Sequence, residues 1–300
     1  MEACLQSIRE ADLRGLHVEV IYVDGGSTDN SRNVARAQGV DAVLGGDRKR
    51  RAAENRNLGL DSARGRFVQF LDGDMVLDGE WVKAALAILE GRTDVAVVFG
   101  RLEERNQNVF YRALQIDWQY PEGEAQYCGG ASLVRAESIR TVGGFPEDVA
   151  YGEEPLLCWR VRNDLQQRIY HLHHRMAWHD LAYRGFGDYW SRTVRVGKTY
   201  AEIAARCRNT QEPFWSREVR SVLLWGNVML WGTLLLLVGP WPVKMALAAA
   251  LVLLLGRKIV QHRQNGWAVA TVYALHTYLA KLAIACGVGT WYVQRWRRAG

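Results

Sequence analysis

The sequence holds neither a disulfide framework nor a thiol metal pattern. Its five cysteines, at 4, 128, 158, 207 and 286, are odd in number and dispersed. This excludes a disulfide-stapled secreted scaffold and points to reduced thiols in a cytosolic setting. A secretory leader pattern is lacking, because residues 1–15 are charged and read as a helix. There is no internal repeat and no low-complexity tract. Aromatic residues do not interleave with basic ones and no groove-reading helix motif occurs, so nucleic acid is not an expected partner. Acidic residues are missing from long runs between about 221 and 293, where the chain becomes mostly apolar.

What is present divides into two parts. Up to about residue 215 the chain is mixed and charged, and strand and helix patterns alternate with short connections. The expected elements are a helix over 2–14, a strand over 18–24 and a helix to 37 capped by Ser27 or Thr28. A strand at 41–44, a helix over 52–63 and a strand over 67–72 follow, then a helix over 79–90 and a strand over 95–100. After a polar, aromatic stretch over 101–127 come a helix over 136–142, another from Pro155 to Asn163 and a strand over 168–172. Such alternation predicts an α/β fold, a mostly parallel sheet with helices on both faces.

Phe67-Val-Gln-Phe-Leu runs into Asp72-Gly73-Asp74. Apolar residues at 67, 68, 70 and 71 suit a strand covered on both faces. Its carboxyl end is where open α/β sheets bind ligands. Two carboxylates there suit a hard divalent cation, Mg²⁺ or Mn²⁺, shared with substrate phosphates. Taken alone, Asp-Gly-Asp also serves as a plain turn. The formal charge of +6 is weighted towards Arg, with clusters at 48–51, 257–258 and 295–298. Such clusters suit phosphate ligands or anionic headgroups.

Val23-Asp24-Gly25-Gly26-Ser27-Thr28-Asp29, Arg56-Asn57-Leu58-Gly59-Leu60, Phe70-Leu71-Asp72-Gly73-Asp74, Gly129-Gly130-Ala131, Gly143-Gly144-Phe145 and Tyr151-Gly152-Glu153-Glu154-Pro155 stand in an order and spacing that resemble family 2 glycosyltransferases with the GT-A fold. The first of these is similar to that family's signature after its second strand, and the second to its next block. The third resembles its metal motif. The two glycine pairs resemble its acceptor-side turns. The last resembles its Glu-Asp block, with Glu154 where the family usually has Asp. The resemblance covers about residues 2–180. It also implies an apolar strand ahead of the first helix, and here Met1-Glu2-Ala3-Cys4-Leu5 already reads as helix.

The resemblance implies roles. Asp24 contacts the base of a nucleotide-sugar donor, and Gly25, Ser27, Arg56, Gly130 and Glu153 belong to the donor pocket. Asp72 contacts ribose or metal, Asp74 holds the divalent cation, and His179 is a candidate third ligand. Glu154 is the general base that deprotonates an acceptor hydroxyl, with inverting chemistry implied by analogy. No Gln-x-x-Arg-Trp motif follows the Glu154 block, which favours transfer of single sugars over polymerisation. The other reading is a non-catalytic membrane protein that binds nucleotide or scaffolds a polysaccharide-synthesis complex.

Residues 1–215 are thus expected to form the catalytic domain and 216–300 a membrane region. Stretches over about 221–239 and 242–256 suit a two-helix hairpin, and 268–293 a third helix, spanning or interfacial. Tyr273, Thr277 and Lys281 share one face of that third helix. The flanking Arg and Lys residues place the catalytic part on the cytoplasmic side of the inner (plasma) membrane in a multi-pass protein. Expected partners are the nucleotide-sugar, a lipid-linked or saccharide acceptor, and membrane lipids.

Overall fold

The computed structural model describes residues 1–210 and 212–299. They form two compact units: Met1–Arg105 with Trp118–Asp180, and Asn106–Asp117 with Leu181–Gly300. In chain order the elements begin α1 (Glu2–Glu10), β1 (Ile21–Asp24), α2 (Ser31–Ala37), β2 (Ala42–Gly45), α3 (Ala52–Ser62) and β3 (Phe67–Phe70). They continue with β4 (Val76–Leu77), α4 (Trp81–Gly91), β5 (Val95–Glu104), α5 (Val109–Leu114), β6 (Gly123–Ala125) and β7 (Ser132–Arg135). The last are α6 (Ala136–Thr141), α7 (Glu153–Asp164), β8 (Arg168–His179), α8 (Phe186–Arg206), α9 (Ser216–Val238), α10 (Trp241–His262) and α11 (Trp267–Ala299).

In the first unit the main sheet runs β3-β7-β5-β8-β4, with β6 paired to β8. β1 and β2 make a separate parallel pair. The α/β class holds, but the sheet is mixed, not mostly parallel. β5 and β8 run parallel, while β3–β7, β5–β7, β4–β8 and β6–β8 run antiparallel. β7 is the strand that reverses the direction, and an antiparallel neighbour needs no return crossover. β4, β6 and β7 have two to four residues each, too few to show a period of their own.

The sheet is covered on both faces. Val68 and Phe70 of β3 pack with Leu60, Val97, Ile139, Phe145, Leu157 and Ile169. Phe67 and Leu71 pack on the other side with Trp81, Leu89, Val98, Leu133 and Met176. This is the alternation of a pleated strand with two apolar neighbours. Gln69, the polar residue of the run, accepts a hydrogen bond from Trp81 Nε1 at 2.8 Å, so the indole N–H is not buried unpaired.

One expected cap moves. α2 begins at Ser31, not at Ser27 or Thr28, and Asp29 Oδ1 accepts from the Ser31 amide at 3.0 Å. Ser27 is drawn back instead, its amide donating to Asp24 Oδ2 at 3.0 Å. All five cysteines are free thiols, with Cys128 and Cys158 Sγ atoms 3.5 Å apart.

The second unit is helical. Tyr273 of α11 donates to Asp117 Oδ1 at 2.7 Å, and His276 bridges Asp117 Oδ2 at 3.1 Å and the Tyr189 hydroxyl at 2.8 Å. Among the described residues two helices, Ser216–Val238 and Trp267–Arg298, are long and apolar enough to cross a membrane. Leu224, Leu230, Trp231, Leu237 and Val238 of α9 lie exposed on its surface.

Trp81 is fully buried between α4 and the sheet. Trp81→Ala is expected to destabilise the first unit by about 3–5 kcal/mol, measured as a shift of the urea midpoint.

Candidate active site

Three segments converge on one guanidinium. Arg56 stands on α3, Asp72 follows β3, and Glu153 and Glu154 open α7. Gly152, at φ +89°, is the N-cap of α7, a backbone state that favours glycine. Arg56 Nη1 donates to Glu153 Oε1 at 2.9 Å and to Glu154 Oε1 at 2.7 Å, and Nη2 donates to Asp72 Oδ1 at 3.2 Å. The Arg56 side chain is 11% exposed and stacks over the Phe145 ring at 5.6 Å. Gly130 faces the same point: a Cβ there would lie 2.7 Å from Arg56 Nη2 and 3.0 Å from Asp72 Oδ2.

Burial pushes the Glu154 carboxyl above its usual range, and the Arg56 charge only partly opposes this. Arg56 is itself held in its charged form more firmly than usual; burial opposes this, but the carboxylates of Glu154, Asp72 and Glu153 prevail. A carboxylate with a raised pKa accepts a proton more readily than an ordinary one, which suits a general base.

Asp24 is turned to its own loop. Buried at the end of β1, its Oδ2 accepts from the amides of Gly26 and Ser27 at 3.1 and 3.0 Å, and its Oδ1 from the Tyr22 hydroxyl at 3.2 Å. Burial acts to raise its pKa, but these donors hold it below the usual range. Gly25 lies against Asn55, whose Oδ1 is buried without a protein partner. Asn57 clasps the Gly143-Gly144-Phe145 turn, accepting from the Phe145 amide at 2.8 Å and donating to its carbonyl at 2.9 Å.

Asp74 is the open carboxylate, 63% exposed, and His179 Nε2 comes to 3.9 Å from its Oδ2. His179 closes β8 and packs edge-on against Trp118 at 6.1 Å. Among the described residues no group of three or more His, Cys, Asp and Glu is arranged as a complete metal cage. One or two carboxylates plus a histidine nonetheless fit a cation whose remaining ligands come from substrate phosphates. The Cys4 thiol on α1, pushed up to about 11 by burial, reaches the Asp72 carbonyl at 3.7 Å and braces the turn.

The expected site residues therefore fall into three groups. Arg56, Asp72, Gly130, Glu153 and Glu154 meet directly; Asp74 and His179 face each other; and Asp24, Gly25 and Ser27 form the loop after β1. The roles of Asn55 and of Asn57 as a turn clasp carry no sequence signal beyond their place beside Arg56.

A mixed α/β unit with carboxylates gathered at strand and helix ends agrees with the GT-A fold that the sequence motifs resemble. The glycosyl transferase family 2 model matches residues 1–141. The chain is 25% identical over 215 residues to glycosyltransferase AglE of Haloferax volcanii, covering 68% of this chain and 69% of that one. It is 34% identical over 164 residues to the pre-mycofactocin glycosyltransferase of Mycobacterium tuberculosis, covering 50% of this chain and 34% of that longer protein. In structure it resembles the mannosyltransferase PcManGT from Pyrobaculum calidifontis in complex with GDP-Man and Mn²⁺. The TM-score is 0.67 at 17% identity, over 95% of this chain and 82% of that one. It also resembles S. aureus TarS 1–349 in complex with UDP, with a TM-score of 0.52 at 17% identity, over 97% and 87% of the two chains. Residues 1–141 thus carry a glycosyl transferase family 2 domain, and the fold is shared with the GT-A structures above.

Two expectations follow from the geometry. Arg56→Gln removes the charge that favours ionised Glu154, so the acid limb of the kcat/KM profile should move up by about one to three pH units. Gly130→Ala should lower kcat/KM by about a hundredfold through displacement of Arg56 and Asp72, with thermal unfolding unchanged.

Proposed function

We propose that this chain transfers a sugar from a nucleotide-sugar donor to an acceptor hydroxyl, with inversion, at the site around Arg56. The observation that carries the reading is the convergence of Glu154, Glu153 and Asp72 on that buried guanidinium, beside the open Asp74. Glu154 takes the proton of the acceptor hydroxyl. The acceptor oxygen then bonds to the anomeric carbon, and the bond from that carbon to the diphosphate oxygen breaks, its electron pair leaving with the nucleoside diphosphate. Arg56 orients Glu154. Glu153 and Asp72 hold Arg56 in register.

A divalent cation would be held by Asp74 with His179 beside it, its remaining ligands coming from the donor phosphates, and Asp72 would reach it only by turning from Arg56. When bound it supplies charge neutralisation at the leaving diphosphate. The loop of Asp24, Gly25 and Ser27 shapes the nucleotide end, the Asp24 carboxylate fixing the amides of Gly26 and Ser27.

The acceptor is read as lipid-linked or as a surface polysaccharide, reached from a membrane-anchored enzyme whose catalytic unit is cytoplasmic. The support is α9 and the Trp267–Arg298 stretch of α11, long and apolar enough to span, together with basic residues at their ends. The hairpin of α9 and α10 followed by α11 is the reading of the membrane region over 216–300.

Release of nucleoside diphosphate from a panel of nucleotide-sugars, in lipid and with Mn²⁺, tests the reading. Asp74→Ala or chelation should lower release by about a hundredfold or more, and magnesium or manganese should restore only the unmutated chain. Release that is indifferent to both would remove the metal from the mechanism; no release with any donor would leave a binding or scaffold role.

A further inference from the structure

The charge of the chain is unevenly divided. The first unit holds 21 Lys and Arg against 27 Asp and Glu, whereas the second holds 17 against five. From residue 219 to 300 there are nine Lys or Arg and no Asp or Glu at all. Most of these cations stand near helix ends, where a membrane-associated protein meets headgroups. Lys281 does not: it lies in the body of α11, on an otherwise apolar stretch.

Its surroundings are aromatic. Lys281 Nζ sits 4.7 Å from the centre of the Trp225 ring of α9 and 6.0 Å from that of Tyr278. Next to Trp225, Gly226 lets α9 approach α11 closely, for a Cβ there would meet Ala285 Cβ at 2.5 Å. Ala285 is one turn beyond Lys281, so close helix contact fixes the wall of the pocket. A further cation, Lys258 of α10, lies within electrostatic reach of Lys281 and 5.5 Å from the Tyr273 ring. Among the described residues neither lysine makes a hydrogen bond or an ion pair. Asp117 lies within electrostatic reach of Lys258, but its oxygens are taken by Tyr273 and His276.

An ammonium has three donors and no acceptor capacity. Aromatic faces stabilise its charge but satisfy none of those donors fully. In an apolar surrounding this is costly unless an anion supplies acceptor oxygens. Trp225 lies five residues past Arg220, about 7.5 Å along the helix, a depth at which tryptophan and the stem of lysine meet headgroups.

We propose that Lys281, with Lys258 as the second charge, holds the phosphate of an anionic phospholipid against Trp225 and Tyr278. The site recognises a phosphodiester carrying net negative charge, and the acyl chains lie on the exposed apolar surface of α9. This inference rests on the membrane reading of α9 and α11, and the test separates the two.

The full chain is purified in detergent, exchanged against mixed phosphatidylglycerol and phosphatidylcholine, and the retained lipid is counted by native mass spectrometry. Phosphatidylglycerol should be retained in preference. Lys281→Gln should lower its retention roughly fivefold or more, the worth of one such charge, and Lys281→Arg should preserve it. The triple variant R295Q/R297Q/R298Q should keep the bound lipid while attaching less firmly to phosphatidylglycerol vesicles. Equal retention of phosphatidylcholine, unchanged retention in Lys281→Gln, or displacement of the lipid by millimolar inorganic phosphate overturns the site. A chain that attaches to no vesicle overturns the membrane reading beneath it.

Discussion

The site depends on one guanidinium held among three carboxylates. Without Arg56, Asp72, Glu153 and Glu154 would be like charges brought together by α3, the turn after β3 and the start of α7. Leaving buried charge uncompensated typically costs 3–5 kcal/mol, more than a marginal fold readily absorbs. The planar fork of arginine can face several carboxylates at fixed angles, which a lysine cannot do. Arg56 therefore fixes where Glu154 points and how readily it takes a proton. Gly130 and Phe145 complete the arrangement, one by leaving room and the other by stacking beneath the charge.

The same constraint explains how an acid-rich unit can handle an anionic donor. With 27 acids against 21 bases, the first unit does not attract a diphosphate through its overall charge. In the proposed reading attraction is local, through the basic loop at 48–51 and a cation at Asp74. The chain-wide charge of +6 conceals this, because the excess of cations belongs to the helical unit. Net charge informs about partners only when it is counted unit by unit.

Much of the first unit was legible in the sequence. The run from Phe67 to Leu71 predicted a strand apolar on both sides, and its residues do pack against two clusters. α3, α4 and α7 lie within a few residues of their expected bounds. What was not legible depends on contacts distant in sequence. The direction of β7 is set by its neighbours β3 and β5, not by its four residues. α2 starts late because Asp24, seven residues upstream, draws back the amide of Ser27. The resemblance assigned Arg56 to the donor pocket, yet no spacing rule reveals that it joins residues 97 and 98 positions away. α8 was not among the expected elements, although its apolar residues recur with helical period and give it an apolar face.

The most direct test of the central claim is to uncouple proton transfer from donor binding at Glu154. In Glu154→Gln the side chain keeps its length and its acceptor oxygen beside Arg56 but cannot take a proton. Donor affinity, measured by calorimetry, should stay within about twofold, while transfer to the acceptor falls by about a hundredfold or more, the contribution typical of a general base. Transfer at close to the unmutated rate, or loss of donor binding with the rate of bound donor unchanged, would contradict the account.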